Sequence, residues 1–288
     1  MNRILVTGAT GHLGSVVTQT LQKTIPARQI GVITRHEEKR AELESQGFTA
    51  HLANYDHPYA LEKAMDGVDT VLLISAGDEG DRMQQHKNVV DAAKRAGVKN
   101  IAYTSRALKD RTTLSNALMR DHFETEDYIK ESGLTYTLFR NILYMDAIPL
   151  FIGKQALERG IFLPAGKGRV SFALRREMGE AMALVLANEP CQNKTYHFTG
   201  REAYSFGDIA QALTELSGKP VSYTPAETSV FVATMRQSGI AEPMLKKIVD
   251  FVTDIRHNQE ADVYTDLEKV LGRQPLALKD GLKELFGL

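Results

Sequence analysis

Short aliphatic and β-branched runs alternate with longer segments of helical spacing up to Arg140, and few folds accept that alternation. Ile4 to Thr7 reads as a strand and Leu13 to Lys23 as a helix. The pattern recurs with strands at Gln29–Arg35, Thr49–Ala53, Val68–Ser75, Asn100–Ser105 and Thr135–Arg140. Between them lie helical segments at Glu37–Gln46, Ala60–Met65, Arg82–Ala96 and Leu118–Ser132. Strand–helix alternation with short links builds a parallel sheet covered by helices on both faces. Strands buried on both sides need no polar alternation, and Val71-Leu72-Leu73-Ile74 is apolar throughout. Gly47, Gly67, Gly97 and Gly133 each follow a helical segment and precede the next strand, where a left-handed residue ends a helix at least cost.

Beyond Arg140 the pattern loosens, broken by Gly153, Gly160, Pro164, Gly166 and Gly168. Helices are expected at Glu177–Ala187, Phe206–Ser217, Thr228–Ser238 and Pro243–Asn258, and strands at Thr195–Phe198 and Val221–Tyr223. Ser205 fits a helix N-cap with Asp208 three positions on. The fold class is therefore α/β. A doubly wound parallel sheet spans residues 1–145, and a smaller C-terminal α/β lobe spans 146–288, interleaved with the sheet rather than independent.

The 288 residues suit one domain with an elaborated lobe. Lys plus Arg number 35 and Asp plus Glu 36, a net charge of −1 that excludes nucleic-acid binding by bulk charge and a polybasic membrane anchor. A single cysteine, Cys191, excludes an internal disulfide and a multi-thiolate metal cage. The longest wholly apolar run, Ala181 to Ala187, has seven residues, against the ~20 that cross a bilayer. The apolar stretch at the N-terminus is too brief for a signal peptide, so a cytoplasmic protein with neither membrane nor nucleic-acid partners is expected.

The sharpest local feature is Gly8-Ala9-Thr10-Gly11-His12-Leu13-Gly14, placed between the first strand and the first helix. Gly8 permits a tight turn, Gly11 lets backbone approach a pyrophosphate, and Gly14 lets helix and strand pack closely. The helix N-terminus offers unpaired N–H groups to the phosphates. After the second strand, where NAD sites place an acid on the ribose, the chain has Thr34-Arg35-His36. A carboxylate would repel a 2′-phosphate and a guanidinium grips it, so Arg35 points to NADP. Alternatively Arg35 caps the following helix or pairs with Glu38. Asn54-Tyr55-Asp56, Ser75-Ala76-Gly77 and Arg140-Asn141 follow later strands, at the edge where open parallel sheets bind ligands. Each of these is also compatible with a plain turn.

Several ordered motifs together resemble a known family. They are the run Thr7 to Gly14, Gln85-His86 with Asn88, the runs Ala92 to Val98 and Ile101 to Ser105, His122 with Thr125-Glu126, and Tyr136 to Asn141. They are similar to the NmrA-like branch of atypical short-chain dehydrogenases, in particular to its NADPH:quinone and triphenylmethane reductases. The likeness runs almost the full length and is densest up to residue 145. It implies a Rossmann fold and NADPH-dependent reduction of quinones or similar flat electrophiles. Carried over by position, it implies cofactor contacts at Gly8, Thr10, Gly11, His12, Leu13, Arg35, Ser75, Gly77 and Asn141, with Gly14, Asn54 and Ala76 joining from the loop readings. Asn54 stands where such relatives often carry Asp, and an amide keeps an acceptor and adds a donor.

Most short-chain dehydrogenases use a Tyr-x-x-x-Lys pair on the helix after the fifth strand. Here those positions fall on Leu118 and His122, so nothing is placed to deprotonate an alcohol. Tyr59 and Lys63 have the spacing, but on a helix between the third and fourth strands, and read as helix surface. A quinone is already electrophilic, and its reduction needs proximity and orientation more than a strong acid. His122 is the candidate catalytic residue, either a proton relay titrating near ~6.5 or a structural histidine bonded to backbone. Leu118, Tyr144, Met145, Phe151 and Phe162 are candidates for an apolar pocket that stacks a flat ring. No metal-ligand spacing is present. The expected cofactor is NADP, the partner a small aromatic or quinone substrate, and the assembly a homodimer. The alternative is an NmrA-like redox sensor that binds dinucleotide without turnover.

Overall fold

The structure, a computed structural model, describes residues 3–77, 79–153, 155–188 and 192–288; Cys191 lies outside them. The first strands and helices are β1 (Ile4–Val6), α1 (His12–Leu21), β2 (Ile30–Thr34), α2 (Glu37–Ser45), β3 (Thr49–Leu52) and α3 (Pro58–Ala64). They continue with β4 (Thr70–Leu73), α4 (Arg82–Arg95), β5 (Asn100–Arg106), α5 (Ala117–Glu131) and β6 (Thr135–Asn141). The looser half holds α6 (Ile148–Ile152), α7 (Ala156–Arg159), β7 (Ile161–Leu163), β8 (Arg169–Val170), α8 (Arg175–Asn188) and β9 (Lys194–Phe198). It ends with β10 (Tyr204–Ser205), α9 (Phe206–Ser217), β11 (Tyr223–Pro225), α10 (Thr228–Gln237), α11 (Glu242–Arg256), α12 (Asp266–Leu271) and α13 (Leu278–Phe286).

Seven strands form the central sheet in the order β3-β2-β1-β4-β5-β6-β9, a Rossmann-type α/β arrangement. The pairings of β2 with β3 and β1, and of β4 with β1 and β5, are parallel. The expected punctuation is present. Gly47, Gly67, Gly97 and Gly133 have φ between +67° and +88°, the left-handed geometry that ends each helix. Ser205 and Asp208 exchange the reciprocal hydrogen bonds of a capping box. The structure adds elements that periodicity did not reveal, among them α6, α7, β7, β8, α12 and α13. Helices α6, α7 and α12 are too short for a clear apolar stripe, and the strands too short for a period-two pattern, whereas the nine-residue amphipathic α13 was missed despite its pattern.

The chain separates into two compact units, each of them discontinuous in sequence. The first comprises 1–106, 121–140 and 175–196; the second comprises 107–120, 141–174 and 197–288. In the first unit Ile4, Leu5, Val6, Val71, Leu72 and Leu73 are wholly buried, as strands covered on both faces must be. Helix α8 enters this unit by packing on α1. A Cβ at Gly179 would lie 2.8 Å from Val16 Cγ1, so glycine permits the close approach.

The second unit is tied by polar groups from the end of α11. The buried Asp254 carboxylate accepts the N–H groups of Ser115 (2.7 Å) and Asn116 (3.1 Å). Buried Glu260 accepts the Leu143 N–H at 3.0 Å, and Gln259 accepts that of Asp110 at 2.9 Å. Each bond spares a donor that, left unpaired in the interior, would cost about 1–3 kcal/mol. Among the described residues, no helix is long and apolar enough to cross a membrane.

Candidate active site

Loops after β1, β2, β3 and β4 line a cavity of about 550 Å³ in the first unit. Gly8, Thr10, Gly11, Arg35, Asn54, Ser75, Ala76 and Gly77 all contribute to its wall, as expected from the sequence. The glycines have separable reasons. Gly8 sits at φ +60°, a turn that an L side chain strains. At Gly14 a Cβ would fall 2.2 Å from the Gly8 carbonyl oxygen, so only glycine lets α1 start against that turn. Gly11 is the N-cap of α1 with extended backbone, and neither a capping side chain nor an acidic residue occupies the first turn. The positive end of the helix therefore faces outward without an internal anion.

Leu13 and Gly14 are buried and His12 is exposed, and none of the three lines the cavity wall. Arg35 does not cap α2, whose N-cap is His36, and its partner is not Glu38. It pairs at 3.6 Å with Glu79 on the cavity wall, both side chains well exposed at 65% and 91%. An exposed pair of this kind is worth about 0–1 kcal/mol, so a phosphate can displace Glu79 cheaply. Asn54 is turned partly inward on its own loop, its Oδ1 accepting the Asp56 N–H at 2.9 Å.

Residues beyond the expected set shape the same cavity. Tyr55 sits among the ends of three strands. Its hydroxyl donates to the Ile74 carbonyl (2.8 Å) and touches Thr7 Oγ1, which accepts the Ile74 N–H at 3.0 Å. Burial pushes this phenol above its ordinary range, so it stays a neutral clamp. Glu79 and Gln85 are also wall residues that strand-end reasoning missed, because neither lies directly at the end of a strand and Gln85 belongs to α4.

Behind that loop lies a buried polar cluster. Tyr103 Oη is 2.9 Å from His122 Nδ1. Burial, reinforced by the Arg82 and Arg106 charges, drives the His122 pKa well below the usual histidine value, and a bond with the Thr104 backbone offsets this only in part. Of the two expectations for His122, a proton relay and a structural histidine bonded to backbone, its burial, which disfavours the charged ring, and its Thr104 backbone bond fit the second. Nearby, buried Glu126 accepts Ser105 Oγ (2.6 Å) and a two-pronged contact from Arg140 (2.8 and 2.6 Å). Tyr59 and Lys63 lie on α3, the ammonium 4.7 Å from the ring centroid with the tyrosine 71% exposed, a surface pair.

The remaining candidates belong to the second unit. Asn141 is buried, yet among the described residues neither its Nδ2 nor its Oδ1 has a hydrogen-bond partner. A buried amide left without partners is costly and marks a place prepared for a ligand. Phe151 packs beside Phe206 and Phe251, with centroids 6.5 and 6.3 Å away, and Phe162 lies 6.0 Å from Phe231. Leu118, Tyr144, Phe151 and Phe162 each keep partial exposure. Met145 departs from the expected pocket. It has no exposed surface, and a Cβ at Gly281 would fall 2.1 Å from its sulfur, so it fills the core under α13.

The residues fit a dinucleotide. The glycine cradle, the uncapped helix start and the exposed guanidinium at Arg35 are the donor groups that such a molecule takes.

Known proteins share this fold. Quinone oxidoreductase 2 of Escherichia coli strain K12 is 36% identical over 286 residues, which cover 99% of each chain. The crystal structure of Citrobacter sp. triphenylmethane reductase complexed with NADP(H) superposes with a TM-score of 0.89 at 34% identity, covering 98% of this chain and 99% of that one. An Escherichia coli NADPH-dependent quinone oxidoreductase in complex with NADPH gives the same TM-score of 0.89 at 34% identity, again over 98% and 99% of the two chains. The NmrA-like family model matches residues 1–285, and the chain belongs to the NmrA-like family.

Proposed function

We propose that this protein is a cytoplasmic NADPH-dependent reductase that delivers hydride to a quinone or a similarly flat electrophile. The observation that carries the reading is the guanidinium of Arg35 on the wall of the glycine-cradled cavity, at the strand end where an acid would select NAD. Bound NADPH supplies the hydride. The protein binds and orients. Gly8, Gly11 and the start of α1 offer backbone to the diphosphate, with Gly14 holding the helix in place. Arg35 leaves Glu79 for the 2′-phosphate. Ser75, Ala76 and Gly77 allow close passage along the cavity wall, and the free amide of Asn141 accepts and donates to the cofactor. Half-buried Leu118, Tyr144, Phe151 and Phe162 supply apolar surface for a ring. His122, neutral and bonded to Tyr103, supports the site without exchanging protons near pH 7. Protons reach the reduced product from solvent.

The test is NADPH oxidation, followed by nicotinamide absorbance, with a panel of benzoquinones, naphthoquinones and a triarylmethane dye. Consumption that depends on acceptor is expected, and no consumption with any acceptor refutes the reading. The Leu118 and His122 pair in place of Tyr and Lys favours a second reading, a sensor that binds dinucleotide without turnover. Steady turnover eliminates it.

A further inference from the structure

The motif Gln85-His86 with Asn88 has no part in the function proposed so far, yet its side chains reach two of the loops that form the cavity. His86 is wholly buried. Its Nε2 accepts the Ala76 backbone N–H at 2.9 Å and lies 3.3 Å from Ser75 Oγ. An Nε2 that accepts leaves the ring proton on Nδ1, which is 2.8 Å from Thr125 Oγ1. The Thr125 hydroxyl in turn spends its own proton on the Asp121 carbonyl at 2.8 Å. Counting donors thus fixes one tautomer and one direction of bonding from Ala76 to Asp121. Next to His86, Gln85 Nε2 donates to the Glu79 carbonyl at 3.3 Å and to the Asp56 carboxylate at 3.1 and 3.2 Å. One turn on, Asn88 Nδ2 donates to the Tyr55 carbonyl at 2.9 Å.

We infer that His86 is a positioning residue for cofactor binding: in its Nδ1–H tautomer it pins Ala76 beside Ser75 and Gly77, while Gln85 holds the Glu79 carbonyl and Asn88 the neighbouring Tyr55 carbonyl. The inference rests on the cavity being the dinucleotide site. A loop of small residues has little packing of its own, and Gly77 has nothing near its Cβ position within 4 Å. Without these three side chains the loop samples many conformations, and binding must then order it.

The experiment compares His86→Leu, which removes the acceptor, with His86→Gln, whose amide oxygen reaches the Nε2 position. NADPH dissociation constants are measured by nicotinamide fluorescence, and amide hydrogen exchange over residues 75–80 is measured in cofactor-free protein. His86→Leu is expected to raise the NADPH Kd about tenfold, to speed exchange in that segment, and to leave kcat at saturating NADPH within about twofold. His86→Gln is expected to stay within about threefold of the parent Kd. A parent-like Kd for His86→Leu, or equal losses in both variants, overturns the inference. Should His86→Leu fail to fold, Thr125→Val takes its place. It is nearly isosteric, lies off the cavity wall, and removes the group that receives the Nδ1 proton. A Kd raised at least threefold supports the inference and an unchanged Kd overturns it. Parent protein that fails to bind NADPH overturns the cofactor reading and this inference together, whereas parent binding with indifferent variants overturns this inference alone.

Discussion

Acid should destabilise this fold in a window set by its two buried histidines. Burial, with the Arg82 charge, holds the His86 pKa down at about 3, and His122 lies well below its ordinary value for the same reasons. In the unfolded chain both return to ~6.5. Between those limits the unfolded state binds protons that the folded state refuses, so stability falls as pH falls. The contribution is intact above the unfolded value and is lost progressively as pH drops toward the folded one. From pH 7 to pH 5 the loss is about 2 kcal/mol for His86, and His122 adds in the same direction. That is a large part of the ~5–15 kcal/mol typical of a folded domain. The half-buried His51, also lowered by burial, adds in the same direction. The exposed carboxylates of Asp110, Glu215 and Glu242 are held low by their hydrogen-bond partners, so what they contribute is likewise lost as pH falls. Urea unfolding of cofactor-free protein at pH 7, 6 and 5 measures the effect, and His86→Gln should remove the His86 share, about 2 kcal/mol. Stability that is flat from pH 7 to pH 5 would refute the neutral-histidine argument, as would an equal decline in His86→Gln and parent. The same result bears on the chemistry, because a histidine that resists protonation at pH 5 cannot be the group that titrates in a rate profile near neutrality.

Three substitutions probe the cofactor site. Arg35→Glu should weaken NADPH about 10- to 100-fold, the worth of charged hydrogen bonds, while NADH binding changes no more than about threefold; equal losses in titrations with both would remove Arg35 from the phosphate role. Gly14→Ala places a methyl 2.2 Å from the Gly8 carbonyl oxygen and must shift backbone. It should cost about 1–3 kcal/mol in urea unfolding and weaken NADPH more than about tenfold in fluorescence titration. Asn141→Leu replaces an amide without partners by an apolar group of similar shape. The cofactor-free variant should melt at the parent temperature or higher, because an unpaired buried amide costs about 1–3 kcal/mol, yet bind NADPH more weakly. A lower melting temperature together with parent-like affinity would show the amide to be structural.

What was legible in the chain beforehand was local. The Gly8–Gly14 turn, the four helix-ending glycines, the Ser205–Asp208 capping box and the strand segments through β6 all depend on residues within a few positions of one another. Backbone sterics and hydrophobic period decide such features before any long-range contact forms. Partners far apart in sequence were not legible. Nothing in residues 175–196 signals that α8 and β9 return to the first unit, nor does Arg35 signal that it meets Glu79. His86 carries no mark of its grip on Ala76, and His122 none of the burial that strips its charge. Solvent exclusion and the pairing of distant polar groups arise only once the sheet has brought its strand ends together. The sequence by itself therefore determined the cradle and the succession of strands and helices through β6, and tertiary packing decided the order of strands in the sheet, which histidines lie buried and which side chains hold the cavity loops in place.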